Sequence, residues 1–114
     1  MIEGTGIDVI EIERVEKAGK RLAERVLTDM ERQEFERLEG RRRWEYLAGR
    51  YCVKEAYAKA NGTGIGTNVS FQDITTVRSE NGRPYLTVRR EARRLHVSIS
   101  HTHDLACAQV IIES

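Results

Sequence analysis

Residues 41–60, RRRWEYLAGRYCVKEAYAKA, carry the clearest helical pattern of the chain. At about 100° per residue their apolar side chains gather on one face, which predicts a helix over Arg41–Ala60. That face consists of Trp44, Leu47, Ala48, Tyr51, Cys52 and Ala58. The helix should end at Asn61-Gly62, because glycine readily adopts the left-handed conformation that closes many helices.

The N-terminal segment predicts a strand followed by a broken helix. Ile2, Ile10 and Ile12 share one face of an alternating segment, which indicates a strand that runs into a helix near Glu11. Gly19 should interrupt that helix, because glycine is a poor residue for a helix interior.

A capping box and a series of short alternating segments complete the predicted fold. In Thr28-Asp29-Met30-Glu31 the threonine hydroxyl and the glutamate carboxylate can satisfy each other's free amides, so we expect a helix to about Leu38, ended by Gly40. The predicted strands are 74–78, 85–88, 97–100 and 105–112, with a helical turn at 89–94. The fold class is α+β, an antiparallel sheet packed with a long central helix and shorter helices.

Length and charge limit the classes of function. A chain of 114 residues fits one domain, so we expect a single domain over residues 1–114. A domain of this size has a small hydrophobic core, and a deep pocket would reduce that core further. This favours a site shared between subunits. The net charge is only +1 although 32% of the residues are charged, whereas proteins that neutralise nucleic-acid phosphates usually carry a clear basic excess.

Cysteine usage and hydropathy favour a cytoplasmic protein. Cys52 and Cys107 lack the spacing of a disulfide framework and indicate reduced thiols. The first residues lack the basic start and apolar run of a signal peptide, and no apolar stretch approaches the ~20 residues that cross a bilayer. We therefore expect a soluble protein without membrane contact.

Two carboxylates stand where the pattern calls for apolar side chains. Glu55 falls near the centre of the apolar helix face, with Lys59 one turn later. Asp8 shares a strand face with isoleucines, and Gly4 and Gly6 leave that face open to a ligand or another backbone. Buried carboxylates are costly unless they are paired or bind a cation. The alternatives are a Glu55–Lys59 ion pair, a boundary position from which Glu55 reaches water, and a Mg²⁺ site shared by Asp8 and Glu55.

A histidine follows the last residues of the predicted strand 97–100. Alternation places Ser100 and His101 on opposite faces, which disfavours a nucleophile–base pair between them. A zinc site would need His101, His103, Asp104 and Cys107, whose spacing matches no common zinc motif. A hydrogen-bonded turn histidine is the simpler alternative.

The sequence contains GIDVIEIER at 6–14, RYCVKEAYAKA at 50–60 and SISH at 98–101. In this order and spacing the three motifs resemble the holo-acyl-carrier-protein synthase family of phosphopantetheinyl transferases, nearly end to end. The resemblance implies the 4′-phosphopantetheinyl transferase fold and a homotrimer with active sites between subunits. It also implies transfer of 4′-phosphopantetheine from coenzyme A to a serine of apo-acyl carrier protein, which releases adenosine 3′,5′-bisphosphate and supports fatty acid biosynthesis.

The resemblance further implies roles for individual residues. Asp8 and Glu55 would bind Mg²⁺ at the coenzyme A pyrophosphate, and Lys59 would contact the transferred phosphate. On chemical grounds the candidate base for the serine proton is Glu55 or a metal-bound water that it orients. The cofactor cleft would be lined by Gly62, Thr63 and Gly64. The adenosine end and its 3′-phosphate would be held by Arg42, Arg50 and His101. The acidic recognition helix of the carrier protein would dock on Arg14, Arg21 and Arg25.

The sequence is also compatible with other classes of function. A nucleic-acid-binding module could use the arginine-rich helix and residues 89–94, but the chain has few aromatic residues for base stacking. A trimeric interaction protein without activity is a further alternative. The Gly62–Gly66 loop follows a helix instead of opening one, so it lacks the helix N-terminus of a phosphate-binding loop.

Overall fold

The central element is one long helix, α4, in a computed structural model that describes residues 1–114. It runs over Arg41–Asn61 and ends at Gly62, whose φ of 79° is left-handed, as the sequence predicts. The predicted apolar face is too narrow, because Val53, Lys54 and Tyr57 are also buried. The helix is covered on most of its circumference since sheet residues pack on one side and the shorter helices on the other.

The strands form two antiparallel sheets. The elements before α4 are β1 (Ile2–Glu11), α1 (Ile12–Ala18), α2 (Lys20–Val26) and α3 (Asp29–Arg37), and those after it are a 3-10 helix (Phe71–Asp73), β2 (Ile74–Arg78), β3 (Pro84–Val88), β4 (Arg94–His101) and β5 (Leu105–Glu113). One sheet has the strand order β1-β5-β4, and β2 pairs with β3. The predicted α+β class is confirmed.

Two glycines bring β1 directly onto α4. A Cβ atom on Gly4 would overlap the carbonyl oxygen of Ala60, and one on Gly6 would overlap that of Ala56. Of the two uses foreseen for this open face, the close approach of another backbone is therefore the one observed. Asp8 is the next inward-facing residue of the strand, so this contact also delivers its carboxylate to the helix.

Most of the predicted elements are confirmed, but β4 begins at Arg94 instead of residue 97, and one predicted element is wrong. Gly19 separates α1 from α2, and the capping box at Thr28 and Glu31 opens α3. The helical turn at 89–94 is wrong. Arg90 has a left-handed φ of 65° and the Glu91 carboxylate accepts the Arg93 backbone amide at 3.1 Å, which stabilises a tight turn instead of a helix.

The face of the three-stranded sheet that points away from α4 carries exposed apolar side chains. Ile7 and Val9 of β1 are 65% and 60% exposed. Val9 of β1 is paired with Cys107 of β5, and Thr5 of β1 is paired with Ile111 of β5. No helix of the chain is both long enough and apolar enough to cross a membrane.

Candidate active site

Asp8 and Lys59 form an ion pair between β1 and the last turn of α4. The Lys59 Nζ donates to Asp8 Oδ1 at 2.9 Å and to the carbonyl oxygen of Ile7 at 3.0 Å. The hydrogen bond to Asp8 raises the pKa of Lys59, so the lysine stays charged. The alternative Glu55–Lys59 ion pair is not formed, because the lysine reaches across to the strand.

Glu55 lies next to this pair without a cation of its own. Its side chain is half-buried, and its pKa is raised first by burial and then by the negative charge of Asp8. The positive charge of Lys59 and the nearby Tyr51 hydroxyl only partly oppose these effects. Two carboxylates from different elements therefore share one region in which the ionised form of Glu55 is disfavoured.

This pair of carboxylates fits a hard cation with few protein ligands. Mg²⁺ is typically held by one or two carboxylates, and waters and substrate phosphates supply the remaining oxygens. No group of three or more histidine, cysteine or acidic side chains is arranged to hold a metal. The zinc alternative built on His101, His103, Asp104 and Cys107 consequently has no support.

Cys52 is a buried cysteine near Asp8, and its thiol is unreactive. It is fully buried, and its Sγ donates to the carbonyl oxygen of Ala106 at 3.5 Å. Burial, and then the nearby Asp8 charge, raise the pKa of the thiol, which keeps it protonated. It acts as a small core residue.

The glycine-rich loop begins three residues after Lys59. Gly62 and Gly64 have left-handed φ values of 79° and 67°. The Gly64 amide donates to the carbonyl oxygen of Ala58 at 3.2 Å, as does the amide of Thr63. These bonds fold the exposed loop back over the end of α4, close to the lysine.

A separate cavity of about 800 Å³ contains the arginines and the histidine of the third motif. Its basic residues are Arg37, Arg42, Arg50, Arg78 and His101, and its acidic residues are Glu31, Glu34 and Glu45. Each of these carboxylates already forms a salt bridge, with Lys54, Arg37 and Arg41 respectively. The cavity therefore has an uncompensated positive charge from Arg42, Arg50 and Arg78.

Arg50 is the most unusual of these cations. Its side chain is only 5% exposed, and its Nε has no hydrogen-bond partner. None of the salt bridges of the chain involves it. Its guanidinium lies over the ring of Tyr46, and burial lowers its pKa. A buried cation without a counter-charge favours an anionic ligand.

Within one chain, the carboxylates of Asp8 and Glu55 lie outside the cavity. The lining of the cavity includes neither Asp8, Glu55 nor Lys59. On α4, Arg50 and Glu55 are five residues apart and thus point about 140° away from each other. The residues expected from the resemblance form two groups on different sides of the helix.

The three arginines expected to dock a partner are exposed on the short helices. Arg14 lies on α1, and Arg21 and Arg25 lie on α2. The positive charge of Arg25 partly opposes the raised pKa of Tyr51, which lies one turn before Glu55 on α4.

Sequence reasoning missed a buried ion pair between α4 and α3. Lys54 is fully buried, and its Nζ donates to Glu31 Oε1 at 2.6 Å and to the carbonyl oxygens of Val26 and Phe71. Glu31 also accepts the amide of Thr76 at 2.9 Å. The capping box identified Glu31, but nothing in the local sequence indicated its distant partner.

Comparison with known proteins places these features in a family. A sequence model of the 4′-phosphopantetheinyl transferase superfamily matches residues 4–111. A holo-[acyl-carrier-protein] synthase of Anoxybacillus flavithermus is 52% identical over 99% of this chain and 97% of that protein. The enzyme of the same name from Geobacillus kaustophilus is 49% identical over 99% of this chain and 90% of that protein.

Solved structures agree with the sequence matches. A Bacillus anthracis holo-(acyl-carrier-protein) synthase, crystallised in complex with CoA (3′,5′-ADP), has a TM-score of 0.96 and 47% identity, covering 100% of this chain and 98% of that chain. A Helicobacter pylori holo-[acyl-carrier-protein] synthase in complex with coenzyme A has a TM-score of 0.83 and 33% identity, covering 96% and 99%.

Proposed function

The chain belongs to the 4′-phosphopantetheinyl transferase superfamily, and we propose that residues 1–114 form one transferase domain with holo-acyl-carrier-protein synthase activity. It transfers 4′-phosphopantetheine from coenzyme A to a serine of apo-acyl carrier protein, a modification that serves fatty acid biosynthesis. The observation that carries this conclusion is the end-to-end match to synthases, combined with two adjacent half-buried carboxylates beside a charged lysine.

The transfer is a displacement at phosphorus. The serine hydroxyl of the carrier attacks the phosphorus that bears pantetheine, and the bond from that phosphorus to the bridging oxygen breaks. Adenosine 3′,5′-bisphosphate leaves with the bonding electron pair. Glu55, or a water that it orients, takes the serine proton. Lys59 stabilises the negative charge on the transferred phosphoryl oxygens.

Asp8 and Glu55 would hold Mg²⁺ next to the pyrophosphate. The bound ion would neutralise the negative charge that develops on the 5′-phosphate oxygens of the leaving adenosine 3′,5′-bisphosphate. The two carboxylates suit this ion because they come from rigid elements and leave most of its coordination to water and phosphate. Asp8 also holds Lys59 in place through their ion pair.

The cavity would receive the other end of coenzyme A. The 3′-phosphate of coenzyme A would be the anion that Arg42, Arg50 and His101 bind. The loop residues Gly62–Gly64 would border the cleft next to Lys59, where their exposed backbone allows close approach.

We assign the two groups to one site that spans two subunits of a homotrimer. The cavity and the carboxylates lie on different sides of α4 in each chain, so a neighbouring copy could complete each site. The apolar outer face of the sheet, with Ile7 and Val9 exposed, offers a surface for this assembly.

The carrier protein would dock on Arg14, Arg21 and Arg25. These exposed cations suit an acidic helix. We place the enzyme in the cytoplasm, in agreement with its two free cysteines.

The test is incubation of the protein with apo-acyl carrier protein, coenzyme A and Mg²⁺, followed by intact-mass analysis of the carrier. A phosphopantetheine adduct is expected. Glu55→Gln and Asp8→Asn should each lower turnover by about 10²-fold or more while the fold survives. Glu80→Gln, at an exposed carboxylate between β2 and β3, is the matched control and should react normally. No adduct on several apo-carriers would contradict the proposal.

A further inference from the structure

The ring of Tyr46 lies against the buried arginine of the cavity. The guanidinium carbon of Arg50 is 4.1 Å from the ring centroid, and the two residues are one turn apart on α4. Burial lowers the pKa of Arg50, because it disfavours the charged form. The aromatic face thus offsets part of the cost of burying a charge that has no carboxylate partner.

The tyrosine ring is itself held at its far end. Its hydroxyl donates to the carbonyl oxygen of Glu31 at 3.2 Å. Glu31 is almost fully buried, and its carboxylate accepts hydrogen bonds from the amides of Thr28 and Thr76 and from Lys54. The ring therefore extends from a firmly fixed point in the core to the guanidinium at the cavity wall.

We propose that Tyr46 is a positioning residue that sets the discrimination between adenosine ligands with and without a 3′-phosphate. This inference rests on the proposed function, because it assigns the cavity to that phosphate. A long arginine side chain loses much conformational entropy when it is held in one place. Stacking on the ring restricts the Arg50 side chain before the ligand binds, so less conformational entropy is lost when the guanidinium binds the phosphate.

The ring also restrains Arg50 from competing interactions. The negative charge of Glu31 interacts electrostatically with both Tyr46 and Arg50. Without the aromatic surface, Arg50 would be free to turn toward that carboxylate, and the cavity would lose its buried cation. The hydroxyl has the smaller role in this proposal, because it donates to the carbonyl oxygen of Glu31 and anchors the ring.

The test measures dissociation constants by calorimetry for adenosine 3′,5′-bisphosphate and for adenosine 5′-monophosphate, with the full chain. In Tyr46→Leu the preference for the bisphosphate should fall about three- to thirty-fold, the range expected for loss of a buried cation–π contact. Tyr46→Phe retains the ring and should keep the preference within about two-fold. Phe35→Leu is the matched control, because Phe35 lies under Arg43 in a cation–π contact outside the cavity lining.

Two outcomes would overturn the inference. Equal weakening of both ligands in Tyr46→Leu would show that the ring only supports the fold. A loss of preference in Tyr46→Phe as large as in Tyr46→Leu would assign the effect to the hydroxyl. Failure of the proposed function is distinguishable, because it would remove the carrier adduct in the mass assay even when the wild-type protein retains the ligand preference.

Discussion

Helix α4 carries two buried cations one turn apart, and they have opposite surroundings. The ammonium group of Lys54 donates to one carboxylate and two carbonyl oxygens. The guanidinium of Arg50 has a tyrosine ring on one side, an Nε without a partner, and a cavity beside it. Burial alone does not separate them, since both are less than a tenth exposed.

The difference teaches how to distinguish a structural charge from a functional one. A buried cation whose hydrogen bonds are complete joins the elements around it, as Lys54 joins α2, α3 and the 3-10 helix to α4. A buried cation with open hydrogen-bonding capacity costs stability unless a ligand completes it. Arg50 is therefore the residue whose removal should harm binding more than folding.

The largest expected effect is on folding. Lys54→Met should lower the free energy of unfolding by about 3–5 kcal/mol, because it leaves Glu31 buried without its counter-charge. Arg50→Met should change it by less than about 1 kcal/mol, since it removes an unpaired charge. Urea unfolding at one fixed protein concentration measures both. Equal losses in the two variants would break the distinction.

The second expected effect is on catalysis. Arg50→Met should raise KM for coenzyme A about ten-fold or more through loss of a charged hydrogen bond to the ligand, with kcat little changed. Arg43→Met is the control, because Arg43 lies on the same helix but outside the cavity lining. Steady-state kinetics with varied coenzyme A gives both constants. An unchanged KM in Arg50→Met would remove this residue from the co-substrate site.

The smallest expected effect concerns the ion pair between Glu91 and Arg93, a cation nearer the surface than Lys54 or Arg50. Its hydrogen bonds lower the pKa of Glu91 to about 2. Because the folded-state pKa lies below the ordinary value of 4.5, the stabilisation is complete above that value and is lost as pH falls toward 2. Glu91→Gln should thus cost about 1 kcal/mol at pH 7 and less at pH 3, as measured by urea unfolding. A cost independent of pH would contradict the ionic origin.

Local patterns in the sequence predicted most of the elements. The apolar periodicity of residues 41–60, the capping box and the break at Gly19 are each short-range features, and each is found in the structure. The turn at 89–94 failed because it depends on a hydrogen bond between Glu91 and Arg93 and on a left-handed arginine. Basic residues in sequence alone cannot distinguish such a turn from a helical one.

The candidate site was less predictable because its geometry depends on contacts between distant residues. The anomalous position of Glu55 on the helix wheel was visible, but its placement beside Asp8 requires Gly4 and Gly6 to bring β1 onto α4. The pair between Lys54 and Glu31 joins positions 23 residues apart, and no local pattern encodes it. The role of Tyr46 emerges only when the ring and Arg50 are seen together.

Ligand-induced stabilisation tests most directly whether Arg50 is the phosphate receptor of the cavity. At a hundredfold excess over its dissociation constant, adenosine 3′,5′-bisphosphate should raise the free energy of unfolding of the wild-type protein by about 2.7 kcal/mol. At the same ligand concentration Arg50→Met should gain clearly less, and adenosine 5′-monophosphate should not distinguish the two proteins. Equal stabilisation of both proteins by the bisphosphate would contradict the account.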